Sequence, residues 1–122
     1  MVVLDDYRKG WALRYIREAR DELEASRRTS SPLNLIVDAA RKAQAAIYFS
    51  LGDPSSIEAL VSEASDEADT SESSVLRCLV EIERTLQRIE SLSVSSDKEA
   101  MEEADGIVRI AAEIVELVTS QD

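Results

Sequence analysis

The chain has 122 residues, the length of one domain with a buried core, and we predict a single domain over residues 1–122. It contains no histidine and one cysteine, so the commonest general base and metal ligand is missing and an internal disulfide is excluded. The formal net charge of −11 disfavours nonspecific binding of nucleic acid. The composition therefore argues against most enzyme classes and predicts neither a bound metal nor a cofactor.

The sequence predicts neither export nor membrane insertion. Its first residues offer only Val2, Val3 and Leu4 before Asp5, far fewer apolar side chains than a signal-peptide core needs. No apolar run approaches the roughly 18 residues required to cross a bilayer. We therefore expect a soluble, cytoplasmic protein.

Two apolar stripes predict the first two helices. The first helix runs from residue 5 or 6 to Ser26. The second has Pro32 in its first turn, after the capping residue Ser31, and continues to Leu51. Gly52 is predicted to end this helix in a left-handed conformation.

A short third helix is predicted over residues 54–68, where Ser55 and Glu58 match a capping box. It leads into residues 65–74, an acidic, serine-rich stretch in which Ala68 is the one apolar residue. Such a composition is typical of a solvated connection.

Two heptad patterns predict the last two helices, over residues 74–92 and 97–119. Their apolar residues are spaced four and three apart: Val75, Leu79, Ile82, Leu86 and Ile89, then Ala100, Ala104, Ile107, Ala111, Ile114 and Val118. A helix with such a stripe must bury it against other helices. The short connection, with a second capping-box match at Ser96 and Glu99, predicts an antiparallel hairpin. We therefore predict an all-α fold, an up-and-down antiparallel bundle of four long helices and one short helix.

The second predicted helix is apolar on nearly all sides over residues 43–49. This segment is either the most buried part of the domain or a contact with another chain, because a monomer does not leave such a surface in water. We predict the contact, in a homodimer or with a protein partner. Its residues are Ala43, Ala46, Ile47, Tyr48 and Phe49.

Arginines of the first helix support an alternative function, RNA binding or RNA processing. Arg14, Arg17 and Arg20 can contact phosphates, while Trp11 and Tyr15 can stack on bases. Each of these arginines stands four residues before an acidic residue, which predicts salt bridges that neutralise the face. A solvated face with buried aromatic side chains is the simpler interpretation.

Paired glutamates support a third possibility, a carboxylate-metal hydrolase of nucleotides. Two Glu-x-x-Glu pairs occur in the last predicted helix, at Glu99, Glu102, Glu113 and Glu116. They resemble the magnesium-binding pairs of helical nucleotide pyrophosphohydrolases, which face each other from two helices. Here both pairs lie on one helix, so a metal site requires acids from elsewhere, such as Glu63 or Glu81.

Residues 10–55 carry a pattern of helix lengths, small residues and acids that resembles a known family. The segment Ala12–Ser26, ALRYIREARDELEAS, is similar to the opening helix of HEPN-domain proteins. The segment Ile36–Gly52, IVDAARKAQAAIYFSLG, is similar to their alanine-rich second helix, which ends before a glycine turn.

The HEPN resemblance implies an up-and-down bundle that often dimerises and sometimes stands beside a nucleotidyltransferase. Many members cleave RNA with an arginine followed four to six residues later by a histidine on a late helix. Here Arg77, Arg84, Arg88 and Arg109 have no histidine after them. The resemblance therefore implies a non-catalytic interaction domain, with no catalytic residue to assign.

Overall fold

The computed structural model describes residues 6–65, 73–92 and 97–120. These residues form five α-helices and no strand, which confirms the predicted all-α fold. The helices are α1 (Asp6–Ser26), α2 (Leu33–Leu51), α3 (Pro54–Ser65), α4 (Ser74–Glu90) and α5 (Asp97–Thr119).

The four long helices alternate in direction. Lys42 of α2 pairs with Glu22 of α1, whereas Phe49 of α2 stacks on Trp11, so α1 and α2 are antiparallel. Arg41 binds Glu90 of α4, while Gln44, further along α2, binds Glu83, so α2 and α4 are also antiparallel. Helices α4 and α5 are antiparallel too. Their ends are joined by Arg88 and Glu103, and Ile82 and Ile107 line the same groove further along.

Small side chains bring α2 and α5 together. Both helices bury alanines without residual exposure: Ala39, Ala40, Ala43 and Ala46 in α2, and Ala100, Ala104 and Ala111 in α5. Because an alanine face lets two helix axes approach closely, α2 packs extensively on α5 as well as on α1. The antiparallel hairpin of α4 and α5 is present, but these helices contact each other only sparsely.

The buried face of α5 differs in part from its heptad. Val108 and Val115, outside the predicted stripe, are buried, whereas Ile114 and Val118 are only half-buried. An α-helix has 3.6 residues per turn, so a strict heptad drifts around a straight helix and its far end leaves the core. In α4, Val75 is likewise exposed at the helix start, although the other four heptad residues are buried.

The helix ends correct three local predictions. Gly52 has φ 169°, which is extended backbone rather than left-handed, and its N–H donates to the carbonyl of Tyr48. Pro32 occupies the N-cap of α2 with no side-chain cap, so Ser31 does not serve that role. Asp53 caps α3 by accepting hydrogen bonds from the backbone and hydroxyl of Ser56, in place of the predicted capping box. The predicted cap Ser96 and the proposed end of the third helix at Ala68 lie outside the described residues.

Candidate docking surface

The segment predicted to contact a partner lies inside the bundle. Ala43, Ala46 and Ile47 have no exposed surface, and Tyr48 is buried. Phe49 is half-buried in an aromatic cluster, 6.2 Å from Trp11 between ring centroids. The apolar surface of residues 43–49 is therefore covered by α1, α5 and the neighbouring helices of the same chain. This burial removes the reason for predicting a partner there, since the side chains are not left in water.

A hydrogen-bond network permits the polar end of Tyr48 to be buried. The amide nitrogen of Gln44 donates to the Tyr48 hydroxyl at 3.0 Å and to Oε1 of Glu83 at 2.7 Å. Arg41 donates to the same oxygen of Glu83 at 2.9 Å and to Glu90 at 2.6 Å. Burial, together with the negative charge of Glu83, raises the pKa of Tyr48, so this phenol stays protonated. The network therefore fastens α4 to α2 and has a structural role.

Glu83 makes the stability of the bundle depend on pH. Burial alone would raise the pKa of Glu83, but hydrogen bonds from Gln44 and Arg41 outweigh it and hold that pKa below its ordinary value. A folded-state pKa below the unfolded one gives stabilisation that is complete above the unfolded value and is lost as the pH falls through the folded value.

We therefore expect the urea midpoint of the wild-type chain to fall more steeply than that of Glu83→Gln as the pH drops below about 4.5. The glutamine keeps the size of the side chain but cannot titrate. Parallel pH profiles for the two proteins would show that the Glu83 carboxylate does not contribute.

The arginines predicted to contact RNA belong to a face that is partly neutralised. Arg14 binds Glu18 at 2.7 Å, as its spacing predicts, and its guanidinium lies 4.9 Å from the centre of the Trp11 ring. Arg17 and Arg20 are exposed, and among the described residues they do not form the salt bridges predicted with Asp21 and Glu24; Glu24 binds Arg27 and Arg28 instead. The rings of Trp11 and Tyr15 are half-buried and pack against Phe49 of the same chain. These contacts favour the simpler interpretation of a solvated face.

The glutamates of the predicted metal site do not converge. Among the described residues, no three acidic or thiol side chains come close enough together to hold a metal ion. This holds for the two pairs of α5, which are Glu99 with Glu102 and Glu113 with Glu116. It also holds for the additional acids considered for the site, Glu63 and Glu81. The arrangement gives no support to metal-dependent hydrolysis by the described part of the chain.

Exposed apolar side chains instead gather in one half of the bundle. This apolar half contains the starts of α1 and α4, the ends of α2 and α5, and α3 as far as Leu60, which lies beside Val75. It holds all the large apolar residues that are exposed among the described residues, namely Tyr7, Leu13, Leu60, Val75, Ile110 and Leu117. The opposite half carries the ion pairs that join different helices, such as Arg88 with Glu103 and Arg27 with Asp105.

A groove of about 510 Å³ separates α4 from α5 and opens into the apolar half. Its buried floor contains Ile82 and Ile107. This α4–α5 groove is lined by Cys78, Glu81, Ile82, Thr85, Glu102, Glu103, Gly106, Ile107 and Ile110. The groove exists because α5 packs mainly on α2 and leaves α4 at a distance.

The outer face of α5 extends the groove. Ile110 is 42% exposed and Leu117 is 64% exposed, and with the half-buried Ile114 they occupy positions i, i+4 and i+7 of one helix face. Sequence reasoning missed Ile110 and Leu117 as surface residues. The available signal was that both fall outside the stripe of Ile107, Ala111, Ile114 and Val118.

Gly106 lies in the groove without a packing reason. A Cβ added to it would meet nothing within 4 Å. Glycine inside a helix costs about 0.5 to 1 kcal/mol relative to alanine. The chain therefore keeps a destabilising residue on this surface although its own core does not require one.

Comparison of the chain with protein-family models, with characterised proteins and with solved structures gives no match. Within the described ranges, every helix is too short or too polar to span a bilayer. The function must therefore be inferred from the surface of the bundle itself.

Proposed function

We propose that this chain is a non-catalytic, HEPN-like interaction domain that docks on another protein through the outer face of α5 in its apolar half. The observation that carries the proposal is the row of Ile110, Ile114 and Leu117 on one face of α5, of which Ile110 also lines the α4–α5 groove. Contiguous apolar patches on a folded domain mark sites of protein interaction. If the partner is a second copy of the chain, this role is self-association. We propose the cytoplasm as the location.

The proposal moves the docking surface away from the one predicted from sequence. Residues 43–49 form the core that holds α1, α2 and α5 together, and their burial gives the surface a rigid support. Ile110, Ile114 and Leu117 are the surface anchors in the new assignment. A rigid helix face that presents apolar anchors at helical spacing suits recognition of a partner helix.

Selection of helical peptides from a displayed random library tests this function. We expect the wild-type chain to enrich peptides with an apolar stripe, and we expect their affinity for Ile110→Lys/Leu117→Lys to be lower by about tenfold or more. Both substituted positions are exposed, so the variant should keep the thermal midpoint of the wild type.

The matched control is Tyr7→Lys/Leu13→Lys, which removes two exposed apolar side chains from α1 instead of α5. This control should bind the selected peptides with the same affinity as the wild type. Failure to enrich any peptide, or equal binding by the α5 variant and the wild type, would contradict docking through this surface.

A further inference from the structure

We propose that the α4–α5 groove binds a basic amphipathic helix of a partner protein. The apolar side chains of that helix would lie on Ile82 and Ile107, and its lysines and arginines would lie beside the glutamates of the groove. This inference rests on the proposed function and adds to it the chemistry of the partner.

The groove runs along about two turns of α4 and of α5, between residues 78–85 and 102–110. Two antiparallel helices form its walls, and an ion pair of 3.1 Å between Arg88 and Glu103 joins them at one end. At the other end the apolar lining continues along Ile110, Ile114 and Leu117. An amphipathic helix docks in such a groove by placing one apolar stripe against the floor.

The charge of α5 selects the partner. This helix has seven acidic and two basic residues, and α4 has three of each. Glu81, Glu102 and Glu103 line the groove, and Arg84 and Arg88 offset Glu81 and Glu103. Among the described residues, the ion pairs of α5 involve Glu103, Asp105 and Arg109, and none involves Glu102 or the exposed Glu99, Glu113 and Glu116. A partner with lysines or arginines beside its apolar stripe would neutralise this excess charge.

Gly106 leaves room for a partner helix. It lies in the α5 wall of the groove, beside Glu102 and Glu103, and a Cβ added to it would meet nothing within 4 Å. A residue without a Cβ allows the backbone of a second helix to approach closely. Gly10 of α1 has equally open space around an added Cβ, so it is the position of Gly106 in the groove that makes it a point of close approach.

A second copy of this chain fits the groove poorly. A two-fold contact between two copies of α5 would bring together two helices that each carry seven acidic and two basic residues. Like charges across an interface suppress association, so the occupant is a chain of opposite charge.

The test uses two synthetic peptides of roughly 18 residues, which span about five helical turns. Both carry the same leucine stripe; one has lysines beside the stripe, and the other has glutamates. Fluorescence anisotropy of the labelled peptides measures binding to the wild-type chain and to Gly106→Leu. The matched control is Gly10→Leu, since Gly10 also lies in a helix with nothing within 4 Å of an added Cβ but is outside the groove.

We expect the lysine peptide to bind about tenfold or more tightly than the glutamate peptide, with a preference that shrinks at high salt. Gly106→Leu should lower the affinity for the lysine peptide by about tenfold, whereas Gly10→Leu should leave this affinity unchanged. Glu102→Lys should reduce the charge preference, and Glu63→Lys on α3 should leave it unchanged. Circular dichroism of each variant verifies that the helices are intact.

Equal affinity for the two peptides, or wild-type affinity in Gly106→Leu, overturns the inference. If neither synthetic peptide binds but library peptides still bind in a manner that requires Ile110 and Leu117, the inference fails and the proposed function stands. If the library also yields no binder, both fail.

Discussion

Replacing Leu86 with alanine should lower the free energy of unfolding by about 2 to 5 kcal/mol. Leu86 is fully buried in α4, where it belongs to the core shared with α2 and α5. The substitution removes the transfer free energy of the buried methyl and methylene groups and leaves a cavity that closely packed helices can fill only partly. Urea denaturation, followed by circular dichroism, measures the change.

The control for this prediction is Leu117→Ala, the same chemical change at an exposed position of α5. Its free energy of unfolding should stay within about 0.5 kcal/mol of the wild type. A similar loss in both variants would mean that Leu117 is part of the core. An unchanged midpoint for Leu86→Ala would mean that the assigned buried face of α4 is wrong.

Replacing Ala104 with leucine should lower the free energy of unfolding by about 1 to 3 kcal/mol, by overpacking instead of by a cavity. Ala104 has no exposed surface, and it belongs to the alanine face on which α5 approaches α2. The larger side chain would force the two helices apart, and every contact along their length would be strained. Thermal and urea unfolding both report the loss.

Ala25→Leu serves as the comparison for Ala104→Leu, because Ala25 is exposed near the end of α1. Leucine and alanine have similar helix propensities, so this variant should unfold within about 0.5 kcal/mol of the wild type. Retention of wild-type stability by Ala104→Leu would indicate that α2 and α5 are not closely packed.

Local patterns in the sequence predicted the helices because each helix buries one continuous stripe. The periodicity of Leu79, Ile82, Leu86 and Ile89 located the core face of α4 correctly. The apolar composition of residues 43–49 allowed burial in the domain as one of two outcomes, and the structure buries Ala43 and Ala46. The predicted boundaries of α1 and α5 agree with the structure at both ends, taking Asp6 as the start of α1.

The docking surface could not be predicted in the same way, because it depends on which helices are neighbours. The apolar composition of segment 43–49 suits contact with a partner as well as contact with the other helices of its own chain, so composition does not distinguish the two. Only the packing of α2 on α1 and α5 shows that the segment is internal, and the packing of α5 on α2 opens the groove beside Gly106. Ile110 and Leu117 lie off the heptad, but that position alone does not distinguish a solvated residue from an anchor.

Nuclear magnetic resonance of isoleucine methyl groups tests the docking surface most directly. The chain, labelled at its isoleucine δ1 methyls, is titrated with the tightest peptide from the library. The account predicts large shifts for Ile107, Ile110 and Ile114 along the groove and its extension, with Ile36 and Ile47 in the core unchanged. Shifts confined to Ile16 on α1, or an unperturbed Ile110 at saturation, would contradict it.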